Sequence, residues 1–90
     1  SLPQYFMSKN KITLTPELDI DNLLAKMEEK YKHEEHSTID GLKIDFEKEW
    51  VHLRKSNTEP IIRIYSEGPT PEAAEQIAQK IISEIEEIIK

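Results

Sequence analysis

Trp50-Val51-His52-Leu53-Arg54-Lys55-Ser56-Asn57-Thr58-Glu59-Pro60-Ile61-Ile62-Arg63-Ile64-Tyr65-Ser66-Glu67 reads as two β-strands joined by a polar turn. Val51 and Leu53 alternate with polar neighbours, as do Ile62 and Ile64, and period two is the mark of a half-buried strand. Between them, Pro60 removes a donor and presets φ, so the chain cannot run on as one strand. The predicted strands are 50–54 and 61–67, paired antiparallel through the Arg54–Pro60 loop.

Working outward, Leu42, Ile44 and Phe46 alternate with Lys43 and Asp45 as another strand, and Asp40-Gly41 before it is a hairpin-turn dipeptide. Ser37-Thr38-Ile39 is expected as a short strand, reached through the polar connection 32–36. Ile20, Leu23, Leu24, Met27 and Tyr31 recur at helical spacing, which predicts a helix over 19–32. Ile12-Thr13-Leu14 ahead of it reads as a strand end. On the other side, Thr70-Pro71-Glu72 carries helix-start chemistry. From Ala74 to Ile89 an apolar stripe then continues to the chain end. An antiparallel sheet with one apolar face and two amphipathic helices bury each other as two layers. The expected class is α+β, an antiparallel sheet of about four strands with both helices on one face.

Composition narrows the function classes. Ninety residues make one small domain, 37% hydrophobic and 33% charged, as in ordinary globular chains. No run approaches the roughly 20 apolar residues of a membrane span, so no membrane role is expected. Cysteine is absent, which excludes disulfide and thiol chemistry and fits a reducing cytoplasm. The net charge of −6 opposes general nucleic-acid binding, which rests on many Lys and Arg contacts with phosphates. The chain starts with Ser1-Leu2-Pro3-Gln4, and an excised domain of a larger protein is the expectation.

One compact phosphate needs only a few donors, and both arginines, Arg54 and Arg63, flank the loop. Apolar matching sets Leu53 opposite Ile62 and Val51 opposite Ile64. His52 then opposes Arg63, Trp50 opposes Tyr65, and Arg54 lies diagonal to Arg63 on the face away from the helices, within reach of one anion. Ser56, Asn57 and Thr58 add polar side chains. The same residues also fit a plain hairpin turn whose arginines pair with Glu59 and Glu67, and local chemistry leaves both readings open.

The string Asp40-Gly41-Leu42-Lys43-Ile44, then Trp50 to Pro60, with Arg63 and Glu67, resembles the last domain of the α-D-phosphohexomutases, the phosphoglucomutase and phosphomannomutase enzymes. The resemblance runs from about Leu2 to the chain end and rests on an R-x-S-N-T-E-P-x-x-R pattern. It implies a fold like that of the TATA-box-binding protein, and residues 1–90 as the C-terminal domain of a larger enzyme. It further implies that the loop clasps the phosphate of a hexose phosphate. Arg54, Ser56, Asn57 and Thr58 are the implied contacts, with Lys55 and Arg63 as additions. Such enzymes move a phosphoryl group between the 1- and 6-hydroxyls of a hexose through a phosphoserine and Mg²⁺. Those loops belong to the missing N-terminal domains, so this chain holds no catalytic residue, no metal site and no cofactor of its own, and is expected to be inactive alone. Asn57 resembles the phosphoglucomutase/phosphomannomutase branch; a phosphoglucosamine mutase and a free-standing binding module of the same fold are the alternatives. Nucleic-acid binding by fold analogy alone is opposed by the charge.

His33-Glu34-Glu35-His36 is a weaker motif. Its spacing differs from the H-E-x-x-H zinc helix, and a solvated connector is the expected role. Trp50 and Tyr65 are expected on an exposed or interdomain face.

Overall fold

Trp50–Lys55 and Ile61–Gly68 pair antiparallel, as the alternation requires. In chain order the computed structural model has β1 (Phe6–Thr13), α1 (Ile20–Lys30), β2 (Glu35–Ser37), β3 (Leu42–Asp45), β4 (Trp50–Lys55), β5 (Ile61–Gly68) and α2 (Pro71–Ile89). The structure describes residues 5–90; Ser1 to Gln4, where the resemblance begins, lie outside the described residues. The strands form one antiparallel sheet in the order β1-β5-β4-β3-β2.

The α+β class holds, with a sheet of five strands where about four were expected. The added length is β1, whose inward positions Ser8 and Asn10 are polar and so hide the strand period. Both bond Glu75 of α2 instead of joining the oil, and these hydrogen bonds hold the Glu75 carboxyl below its ordinary range. The short strand expected at 37–39 lies at Glu35–Ser37, which leaves Ile39 exposed in the turn before β3.

α2 starts at its expected cap, Thr70, and α1 starts at Asp19. The Asp19 carboxylate accepts from Asn22 N–H, and the Thr70 hydroxyl from Ala73 N–H with Pro71 in the first turn. Such caps satisfy N–H groups that have no partner inside the helix. Leu23 and Met27 of α1 and its C-cap Tyr31 meet Ala78, Ile81 and Ile85 of α2 over Leu42, Ile44, Val51, Leu53, Ile62 and Ile64. Ile81 and Ile85 of the α2 stripe are therefore core, with Ile82 and Ile88 packed against it and Ile89 exposed at the chain end. Tyr31 reaches across to donate to Glu84, and burial with that carboxylate pushes its phenol well above the ordinary tyrosine value.

The β4–β5 register differs from the expected one by two residues: Leu53 faces Ile64, Val51 faces Ser66, His52 faces Tyr65, Trp50 faces Glu67 and Arg54 faces Arg63. Apolar matching failed here because it paired Val51 with an isoleucine, whereas its partner in the sheet is Ser66. Ser66 is fully buried, and its hydroxyl donates to the Ala74 carbonyl at 2.8 Å. A satisfied buried hydroxyl is no penalty. A shift of two preserves the face of every side chain, so the assignment of inside and outside survives.

Candidate functional site

The β4–β5 loop is closed at its base by Ser56 N–H donating to the Ile61 carbonyl at 3.1 Å. Pro60, which has no N–H of its own, accepts from Leu14 N–H at 2.7 Å and ties the loop to the end of β1. Inside the loop, the Ser56 hydroxyl accepts from Thr58 N–H at 3.3 Å and lies 3.3 Å from the Thr58 hydroxyl. Such a local side-chain turn is what Ser and Thr offer when no ladder partner is at hand. Ser56 N–H is thus consumed by the hairpin, and the loop presents mainly side chains.

Arg54, Lys55 and Asn57 line one cleft of about 400 Å³, closed on its far side by Asp21, Leu24, Ala25 and Glu28 of α1 and by Asp40 and Gly41. The two cations arrive from opposite sides of the sheet. Arg54 lies on the outward face, and its Nη2 lies 3.3 Å from Asp40 Oδ2. Lys55 sits at the helix-side parity, past the edge of the core, and its Nζ meets Asp21 Oδ1 at 2.8 Å. The arginine partners considered from sequence, Glu59 and Glu67, are replaced by Asp40; Glu67 accepts from Trp50 Nε1 at 3.1 Å. His52 donates its Nε2–H to the Asp40 carbonyl, since a carbonyl can only accept, and this pins the turn that carries Asp40.

The structure therefore joins Arg54, Lys55 and Asn57 in one cleft, with the Ser56 and Thr58 hydroxyls beside it in the loop. Arg63 is placed differently. It stands directly opposite Arg54 rather than diagonal to it, yet it lines a separate hollow on the outer face of the sheet with Lys9, Lys11 and Tyr65. Sequence reading missed Asp21 and Asp40 as partners of the loop cations. Asp21 is distant in sequence, and Asp40 was taken only as a turn residue. It also missed Lys9 and Lys11, although their period-two spacing carries the signal.

The three carboxylates at the cleft are each engaged: Asp21 by Lys55, Asp40 by Arg54, and Glu28 by His36 Nε2 at 3.2 Å. His36 also donates from Nδ1 to the Glu34 carbonyl; that bond, helped by Glu28, raises its pKa above the ordinary value. Among the described residues no group of three His, Cys, Asp or Glu side chains is placed to hold a metal ion. Among the described residues the cleft carboxylates are thus spent on cations and are not gathered around a magnesium site. No helix among the described residues is long and apolar enough to cross a membrane.

With this geometry in hand, comparison with known proteins gives a consistent answer. The family model for the phosphoglucomutase/phosphomannomutase C-terminal domain matches residues 12–84. The chain is 40% identical, over 99% of its length, to a phosphoglucomutase/phosphomannomutase from Thermococcus kodakarensis, of which it covers 20%. It is 36% identical, again over 99%, to a phosphoglucosamine/phosphogalactosamine mutase from Sulfurisphaera tokodaii, of which it covers 19%. A probable phosphoglucosamine mutase from Pyrococcus horikoshii is 34% identical over 99% of this chain, which covers 20% of that relative. The chain thus spans about a fifth of the length of the curated relatives it matches. It belongs to the phosphoglucomutase/phosphomannomutase family, and it matches the family's C-terminal domain.

Proposed function

We propose that this chain is the C-terminal, substrate-phosphate-binding domain of a cytoplasmic phosphohexomutase that interconverts hexose 1- and 6-phosphates. Arg54, Ser56, Asn57 and Thr58 clasp the phosphate of the hexose phosphate, and Lys55 completes the charge from the helix side. The observation that carries this reading is the convergence of Arg54, Lys55 and Asn57 on one cleft, where each half-exposed cation is held only by a largely exposed carboxylate.

Those ion pairs are weak, on the order of 0–1 kcal/mol each at exposed sites. A charge-assisted hydrogen bond to a phosphate oxygen is worth roughly 1.5–3 kcal/mol, and the Arg54 fork can give two of them. Exchange of Asp40 and Asp21 for a phosphate dianion is therefore downhill, and the carboxylates keep the cations neutralised when no substrate is bound. The Ser56 and Thr58 hydroxyls, now spent on each other, rotate to donate to the same oxygens. This is positioning, not bond chemistry. The phosphoserine and Mg²⁺ of the reaction belong to the other domains of the longer enzyme, which are this chain's partners, and the isolated domain is inactive.

Titration of the ¹⁵N-labelled chain with glucose 1-phosphate tests this. Saturable shifts are expected at Ser56, Asn57 and Thr58, with a dissociation constant in the millimolar range or weaker because association costs offset much of the bond energy. Arg54→Ala abolishes them. Saturable shifts elsewhere with these three amides unmoved would refute the reading.

A second reading, a phosphoglucosamine mutase, is favoured by two of the relatives above, whereas Asn57 supports the hexose branch. The full-length enzyme assayed with glucosamine 6-phosphate against glucose 6-phosphate separates them.

A further inference from the structure

Three carboxylates line the cleft, and each has one cation: Asp40 has Arg54, Asp21 has Lys55, and Glu28 has His36. The first two cations keep their charge across the neutral range, and the third does not. His36 sits in the middle of β2, the three-residue edge strand, opposite the buried Ile44 and so on the helix side of the sheet. Its ring is held at both nitrogens: Nδ1 lies 2.8 Å from the Glu34 carbonyl oxygen and Nε2 lies 3.2 Å from Glu28 Oε2. A carbonyl and a carboxylate only accept, and a neutral imidazole carries a single N–H. Both bonds are therefore made at once only by the imidazolium. The Glu34 carbonyl first, and Glu28 after it, raise the His36 pKa above its ordinary 6.5 against the opposing effect of burial. Neighbouring charges do not replace this pairing. Glu29, next along α1, meets Lys32, while Lys43 and Asp45, which flank Ile44 on β3, meet each other. Among the described residues, His36 is the only ion-pair partner of Glu28.

We infer that His36 is a positioning residue for this cleft: as an imidazolium it ties Glu28 to the edge strand, and on losing its proton it releases that carboxylate to the cleft. The inference rests on the reading of the cleft as a phosphate site. With His36 charged, the three carboxylates are matched by three cations, and a phosphate need only displace Asp40 and Asp21. With His36 neutral, Glu28 brings an uncompensated negative charge to the wall the phosphate approaches, and a third carboxylate competes for Arg54 and Lys55. Because β2 pairs with β3 alone, the same loss also loosens the strand from α1. The sign follows from the raised pKa: the tie is intact below 6.5 and is lost as pH rises through the folded-state value. Anion capture is thus stronger on the acid side of the His36 titration than on the alkaline side. His52, the other histidine beside the cleft, donates from Nε2 to the Asp40 carbonyl, a bond that neutral imidazole makes equally well.

Two readouts on the ¹⁵N-labelled chain test the inference. Ring ¹H–¹⁵N spectra should show both His36 nitrogens protonated on the acid side, with a titration midpoint above 6.5 that drops in Glu28→Gln. Sodium sulfate then serves as the anion probe, since it stays a dianion where a phosphate monoester itself titrates, at ionic strength held constant with sodium chloride. The shifts of Ser56, Asn57 and Thr58 should report sulfate binding roughly threefold tighter at about pH 6 than at about pH 8.5, the scale of one exposed ion pair. Glu28→Gln keeps the tighter affinity at both pH values, and His36→Gln keeps the weaker. Spectral dispersion reports whether each variant is folded, and the ring titration of the parent chain stands without them. A His36 ring neutral in a single tautomer at about pH 6, equal sulfate affinity at both pH values, or a pH dependence that survives in both variants and so belongs to His52 would each overturn the inference. Loop amides that ignore sulfate at both pH values would refute the cleft reading and this inference with it, an outcome distinct from a loop that responds without regard to pH.

Discussion

Gly41 is the position where a single methyl group tests both the fold and the site. It has φ +74°, and an added β-carbon would lie 2.2 Å from the Leu53 carbonyl oxygen and 3.3 Å from the Arg54 α-carbon. The left-handed backbone costs a non-glycine residue about 1–2 kcal/mol. Relieving the overlap requires the turn to lift away from β4, a backbone shift of the kind that costs about 1–3 kcal/mol. Gly41→Ala is therefore expected to lose about 2–5 kcal/mol, out of the roughly 5–15 kcal/mol typical of a whole domain. Each kcal/mol lowers the melting temperature of a domain this size by about 4–8 °C. Urea unfolding followed by Trp50 fluorescence reads the loss as a lower midpoint with unchanged slope. Because Asp40 precedes Gly41 and pairs with Arg54, glucose 1-phosphate shifts at the loop should change too. Gly68→Ala is the internal comparison: its φ is not left-handed, and the nearest atoms to an added β-carbon lie at 3.0 and 3.1 Å, so a smaller loss is expected. A Gly41→Ala midpoint equal to that of the parent chain would refute the turn geometry and the reasoning from it.

Ser66→Ala removes the buried hydroxyl that bonds the Ala74 carbonyl and should cost about 1 kcal/mol in the same urea assay; a gain in stability would show that the bond does not hold β5 to α2. Tyr31 has its phenol raised by burial and by Glu84, so the folded state keeps a proton that the unfolded chain releases near its ordinary value of 10.0. Its contribution is intact below that pH and is lost as pH rises above it, so stability should fall in the alkaline range, and Tyr31→Phe should flatten that fall. A parent and variant with parallel alkaline profiles would count against this. Thr70→Ala deletes the hydroxyl that caps α2 and should cost about 0.5–2 kcal/mol, read as a lower thermal midpoint by circular dichroism.

The layers, the Thr70 cap and apolar stripe of α2, and the inner face of β3, β4 and β5 could be read in the sequence, because helix and strand periods are local properties of the chain. The family resemblance could be read in the same stretch, and it carried the loop residues Arg54, Ser56, Asn57 and Thr58 with it. Three things were decided only by tertiary structure. The β4–β5 register turned on Ser66, whose burial is permitted by a carbonyl of α2 that no strand pattern contains. The first part of β1, ahead of the strand end read at Ile12-Thr13, escaped because Ser8 and Asn10 occupy inward positions and are satisfied by Glu75 of α2. The division of the cations followed from pairing across the sheet and from α1. Lys55 finds Asp21, Arg54 finds Asp40, and Arg63 is left with Lys9 and Lys11. Sequence determined which residues bear the charge and which way each strand faces. Which charges meet depends on contacts between residues far apart in the chain, and these exist only once the helices lie on the sheet.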